Sequence, residues 1–212
     1  MNQSARRVLT LFLLGIGCLA MGAPEATAQR WLQTSQLLTE IKQDSPTRAL
    51  LDTLVQVIER KGEVEVKRTE EASKKLSLST LRDKLINEQG IGLTSANFVF
   101  IDYRFEIQNR GFEESVESLQ FVYRPPGGAE EDIQMLYVDA SEPWVRNILE
   151  NKGTTLVTNE AALKTFSDQL AFARLVQDGK IVEIAGQTVR EGFKRKKRQL
   201  VQKIQRLTYE SM

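Results

Sequence analysis

The chain contains no histidine, a single cysteine and only five prolines in 212 residues. Each absence removes chemistry. A Ser-His-Asp or Cys-His nucleophile, a histidine general base, a zinc site of the usual nitrogen and sulfur ligands, and a His-ligated haem all require side chains that are missing. Neither Ser-x-x-Lys nor GxxxxGK[ST] occurs. Gly90-Ile91-Gly92 follows a predicted helix and leads into a predicted strand, the reverse of the order that cradles a dinucleotide pyrophosphate. Carboxylate, lysine and tyrosine chemistry is what remains. The expectation is therefore a protein that is not an enzyme and holds no cofactor or metal.

The lone Cys18 lies in an apolar run, Val8 to Ala23, preceded by Arg6-Arg7 and followed by Ala26-Thr27-Ala28. A short positive region, an apolar stretch and a small-x-small site make a secretory signal peptide over residues 1–28. Sixteen mostly apolar residues ended by Pro24 are short against the ~20 that a spanning helix needs. Leu14-Gly15-Ile16-Gly17-Cys18 resembles a lipoprotein box, so acylation at Cys18 is the alternative, but Gly15 stands where that box favours leucine. Cleavage near Ala28 leaves 184 residues, from Gln29, with no thiol. An exported chain of that length without disulfides rests on its core alone. The expected location is the bacterial periplasm or beyond.

Charge of one sign is scarce overall but not locally. Removing Arg6, Arg7 and Glu25 takes the formal net charge from +1 to zero. Residues 106–150 nevertheless hold ten acids against three bases, and residues 190–212 hold eight bases against two acids. Mutual neutralisation, within one fold or between copies, is the simplest account of that asymmetry.

The central pattern is Asn97 to Ala140. Val99, Ile101, Tyr103, Phe105 and Ile107 fall on one side of a period-two ribbon, and Asp102, Arg104 and Glu106 on the other. Leu119, Phe121 and Tyr123 repeat this, then Ile133, Met135 and Tyr137, with Asn109-Arg110-Gly111 and Pro125-Pro126-Gly127-Gly128 as turns. Apolar residues on both sides at Phe98 to Ile101 and Leu119 to Tyr123 predict an end of the sheet covered twice. Helices are predicted from Trp31 to Ile41, from Pro46 (capped by Ser45) to Lys61, after a Thr80/Asp83 capping box to Gln89, after Ser141, and from Asn159 to Gln177. A hairpin is predicted around Ala185-Gly186. The class is α+β: a central antiparallel meander of three to five strands flanked by N- and C-terminal amphipathic helices, in one domain over residues 29–212. Its parts are a helical arm (29–62), the sheet with its helices (63–189) and a basic C-terminal helix (190–212).

Three sets of residues carry candidate function. Asp102, Glu106 and Asp139 are the carboxylates that a sheet beside aromatic residues can desolvate into an acid or base, although Asp102-Arg104-Glu106 equally forms a solvated charge ladder. Phe98, Phe100, Phe121 and Tyr137 are candidates to line an apolar pocket, which would make the protein a small-molecule or lipid carrier. Lys194, Arg195, Lys196, Lys197 and Arg198 form a basic run suited to an anionic partner or membrane surface; behind a signal peptide, nucleic acid is a poor expectation. Glu130-Glu131-Asp132 lacks the spacing of a calcium loop and belongs to a solvated turn. Trp31 and Trp144 suit the core or an interface. Together these favour an exported binding module that meets an envelope protein or a second copy of itself.

Overall fold

The computed structural model describes residues 31–108, 111–127, 131–155, 163–190 and 194–210. The residues assigned to export, with Cys18, lie outside the described ones, as do Glu130, Asn159 and Phe193. The fold is α+β, and its sheet is antiparallel with six strands in the order β4-β3-β2-β1-β7-β8. These strands are β1 (Trp31–Glu40), β2 (Phe98–Gln108), β3 (Gly111–Tyr123), β4 (Ile133–Asp139), β7 (Lys180–Ile184) and β8 (Gln187–Thr188). A separate two-stranded ladder joins β5 (Gly153–Thr155) to β6 (Leu163–Thr165).

The strands of the meander β2-β3-β4 and the β7-β8 hairpin form where predicted, but a register shift opposite Phe121 and Val122 turns Tyr137 outward and puts Leu136 and Val138 inside, so Ile133, Met135 and Tyr137 do not share one side as expected. The turn between β7 and β8 places Ala185 and Gly186 at φ 52° and 73°, the pair of positive φ values that suits the right-handed twist of the flanking strands. Trp31 to Ile41 departs from expectation, because it is not the first half of a helical arm. It forms β1, paired antiparallel with β2 from Trp31 opposite Ile107 to Glu40 opposite Phe98. Leu37 and Leu38, which imitate one turn of a helical stripe, are both buried and point to opposite faces of the strand. Pairing with a long neighbour overrides a weak local propensity. This strand carries the sheet past its predicted maximum of five.

The helices are α1 (Pro46–Lys61), α2 (Leu78–Gln89), α3 (Pro143–Asn151), α4 (Phe166–Gln169), α5 (Phe172–Leu175) and α6 (Lys194–Glu210). Ser45 caps α1, with Pro46 in its first turn and Gly62 at its end, as the sequence implies. Helix α2 begins a turn earlier than the Thr80/Asp83 reading. Its cap is Ser77, whose hydroxyl accepts the Thr80 N–H. Helix α3 is capped by Glu142, without a side-chain hydrogen bond, rather than by Ser141; Pro143 occupies its first turn.

No single helix runs over the described part of residues 159–177. Thr165 and Asp168 form a reciprocal capping box that starts α4 one residue after β6. Buried Gln169 then donates to the carbonyls of Thr154 and Lys164. Those bonds tie the turn to the β5-β6 ladder, and Ala171 is extended at ψ 131° before α5 begins.

Register sets two rows back to back across five strands. Ile181, Leu37, Ile101, Leu119 and Val138 share the inner face and are buried; Glu183, Gln36, Asp102, Ser118 and Asp139, each one position along its strand except on bulged β7, share the outer face. The helices cover the inner row. Leu50, Leu51, Leu54, Leu81, Leu85, Val145 and Ile148 join it in one continuous core. Near the chain end of β2, Tyr103, Phe105, Phe112 and Phe172 stack edge-on and face-on at 5.1–6.4 Å between ring centroids. No helix among the described residues is long and apolar enough to cross a membrane.

Candidate functional site: the open face of the sheet

The outer row lies in a concavity of about 940 Å³ that spans β1, β2, β3, β4 and β7. Eight carboxylate residues border it, against one cation, Arg146. The far end of the same face is occupied. The segment around Lys67 pairs with the free edge of β4 through a Tyr137 N–H to Lys67 carbonyl bond of 2.9 Å. Arg68 donates to the Gln134 carbonyl, and Gln120 donates to that of Arg68. The sheet end predicted to be covered twice is thus lined by extended chain at its β4 edge.

Asp102 stands at the middle of the row. One oxygen accepts Gln36 Nε2 at 2.9 Å from β1, and the other accepts the Ser118 hydroxyl from β3. Each oxygen takes one bond, and together the two bonds join three strands. Asp139 accepts the Ser141 N–H at 2.8 Å and shapes the turn into α3. Glu106 is buried and lies 3.5 Å from the Arg104 guanidinium. Asp102 and Glu106 sit four positions apart on one strand, roughly 13 Å along it. Burial pushes the Tyr137 hydroxyl upward from its ordinary value, while its contact with Ser118 pulls the other way.

The four aromatic pocket candidates do not converge. Phe121 is fully buried on the inner face, opposite Val99 and Leu136. Phe98, Phe100 and Tyr137 lie half-buried on the other side; Phe98 stacks under the Arg124 guanidinium at 4.6 Å. Only Tyr137 borders the concavity. Period-two counting failed here because β3 and β4 shift register between Phe121 and Val122, and because the four residues come from strands of different parity.

One carboxylate was missed. Glu114 faces Phe105 across β2 and β3, on the inner side of the sheet. It accepts the backbone N–H of Phe172 at 2.5 Å, and burial raises its pKa to about 6. The same carboxylate raises the Tyr103 hydroxyl, second to burial itself. The signal was legible, since Phe112-x-Glu114-x-Val116 puts this acid on the apolar phase of its strand. Its hydrogen bond fastens α5 to the edge of the sheet.

The predicted basic run opens α6. Lys194, Arg195, Lys196 and Arg198 are exposed, and Lys197 is half-buried. Further along, Leu200 and Ile204 anchor the helix in the core, and the Lys203 ammonium sits 3.8 Å above the Trp31 ring. That burial lowers the Lys203 pKa from its ordinary value. Trp31 is therefore an anchor, as expected.

Among the described residues, no group of three or more acids is arranged to hold a metal ion. No protein-family model matches the chain, and no curated protein matches it.

Proposed function

We propose that the protein is an exported, non-enzymatic binding module of the bacterial cell envelope, and that the open face of its sheet docks a positively charged protein surface. One observation carries this reading: a concavity of about 940 Å³ that joins the outer face of the sheet to α3 is bordered by eight carboxylate residues, Glu114 and, from α3, Glu150 among them, and one arginine. Among the described residues Glu70, Glu113, Glu150 and Glu183, all on that border, have no ion-pair partner. Glu106 and Glu113 face one another across β2 and β3, a like-charged pair that costs the sheet stability. A cationic partner relieves both strains, and charge of this kind speeds and orients encounter. The chemistry points the same way, because Asp102 and Asp139 help to hold the fold.

Two measurements test the reading. The mass of the protein recovered from fractionated cells should correspond to a chain starting at Gln29 in the envelope fraction; an intact chain in the cytosol removes the exported half of the proposal. In solution, a labelled helical Lys/Ala peptide should bind and a Glu/Ala peptide of equal length should not. The variant E113Q/E150Q/E183Q should lose that binding. Equal binding of both peptides, or of the variant and its parent, removes the docking face.

A further inference from the structure

We propose that the occupant of the open face is a second copy of this chain, which inserts the basic first turns of its α6 there. The inference rests on reading that face as a docking surface for cations, and adds which cation comes.

The basic end of α6 turns one charged side outward, while Lys196 and Gln199 border a hollow beside Trp31 and the β7-β8 turn. Lys194, Arg195, Lys196, Arg198 and Gln199 are all exposed, and at about 100° per residue these positions fan over an arc of about 200°, away from the side of Lys197, Leu200 and Ile204. Only from Leu200 onward does one side of α6 enter the core. Among the described residues Lys194, Arg195, Lys197 and Arg198 have no ion-pair partner. The arrangement also works against the helix. Among the described residues its first turn carries no acid, and cations there oppose the positive end of the macrodipole. Lys194 and Arg198 further repel one another at i,i+4. Cations that are unfavourable for their own helix, and of which Lys194, Arg195, Lys197 and Arg198 find no ion pair among the described residues, are accounted for by a target outside the fold.

The face supplies that target. Size agrees: the six residues of helix before Leu200, roughly 9 Å long and about 10 Å across, occupy on the order of 700 Å³, against a concavity of about 940 Å³. Charge agrees as well, since four cations without ion pairs meet a border carrying four acids likewise unanswered. Because the donor is a helix end and the receiver a sheet face, the contact is head-to-tail. It propagates until a ring closes or a filament forms.

Sedimentation and light scattering on the purified protein decide the matter. At low salt the wild type should exceed the monomer mass, and it should return to the monomer near ~0.5 M salt, where exposed charges are screened. The variants K194Q/R195Q/K197Q/R198Q and E113Q/E150Q/E183Q should each remain monomeric alone, with affinity at least about tenfold weaker. Mixed, they should give a 1:1 dimer and nothing larger, because one brings an intact face and the other an intact helix end. A wild type that stays monomeric at low salt overturns the proposal, as does either variant assembling alone or a mixture that forms no dimer. A peptide of residues 194–205 separates the two readings. If it binds the helix variant while the wild type stays monomeric, the docking face stands and the second copy falls; if it binds nothing, both fall.

Discussion

Strand β2 belongs to two different environments at once. On one side Ile101, Tyr103 and Phe105 are fully buried under helices; on the other Asp102 borders a wide concavity and Arg104 is half-buried beside Glu106 and Glu117. The inner side is held by area removed from water and by ring contacts, which are indifferent to salt and pH. The outer side is held by hydrogen bonds between strands and charges that are left over. What the contrast teaches is a division of labour inside one ribbon. Residues of one parity make the fold, and those of the other are free to be selected for what they meet.

The sharpest way to break that division is Phe105→Ala. Phe105 is fully buried and touches three other rings, so truncation should cost about 3–5 kcal/mol. Its neighbour Arg104→Ala loses 3.5 Å ion pairs to exposed Glu117 and to buried Glu106, and should cost less, about 1–2 kcal/mol, most of it from the buried carboxylate that loses this partner. Urea unfolding of the two variants checks the asymmetry. Equal losses would mean that the outer side is as structural as the inner.

Glu114 is the one acid on the wrong side of the comparison, and it should give the inner face a pH dependence. Its folded pKa, about 6, lies above the ordinary 4.5 because burial disfavours the charge. A raised carboxyl pKa means that the folded state holds the proton more tightly. Its contribution is fully present below about pH 4.5 and is lost as pH climbs through about 6. Glu114→Gln keeps an oxygen for the Phe172 N–H and has no charge to bury. It should therefore be more stable than the parent at pH 7 by about 2 kcal/mol, at 1.36 kcal/mol per pKa unit, with no difference near pH 4. Unfolding midpoints across pH 4–8 show whether the slope disappears.

How much of this was open to reading from residues alone follows from the same two sides. The alternation in Val99 to Ile107 exposes both environments because a strand covered on one face writes its burial directly into sequence. Ser45-Pro46 and the glycines after Lys61 and Gln89 mark helix ends by local chemistry, and those were legible too. Trp31 to Glu40 was not, since Leu37-Leu38 is buried on both faces and has no alternation to read. Residues 163–177 deceived for another reason: buried Gln169 breaks the helix through bonds to β5 and β6, a tertiary event with no local sign. The outer row spans five strands from Gln36 to Glu183. No window along the chain contains it, although its middle member, Asp102, was singled out.

On the outer side, Asp102→Asn distinguishes framework from chemistry. The amide keeps one acceptor for Ser118 or Gln36 but loses the charge that strengthens both bonds, and replaces one lone-pair oxygen with a donor. A loss of about 1–2 kcal/mol in unfolding free energy is expected, with peptide binding to the open face largely retained. Binding abolished in a fully folded variant would make Asp102 a contact rather than a strut.

The smallest effect tests whether the basic end of α6 is selected for something other than its own helix. Lys194 is exposed, and the first turn of α6 as described holds no acid. If that end served stability, replacing its cations should weaken the protein. Electrostatics of an isolated helix says the opposite: Lys194→Glu puts an anion at the positive end of the macrodipole and turns the i,i+4 repulsion from Arg198 into an attraction, together about 0.3–1 kcal/mol in favour of the variant. The measurement is the unfolding midpoint at low salt, where neither effect is screened, in protein dilute enough to stay monomeric, and again at a concentration that assembles. A variant that gains stability as a monomer while losing mass in the low-salt assembly separates the two roles, because one substitution then moves fold and association in opposite directions. Loss of stability in the monomer would place the run among the residues that make the fold, and the outer face would need a different partner.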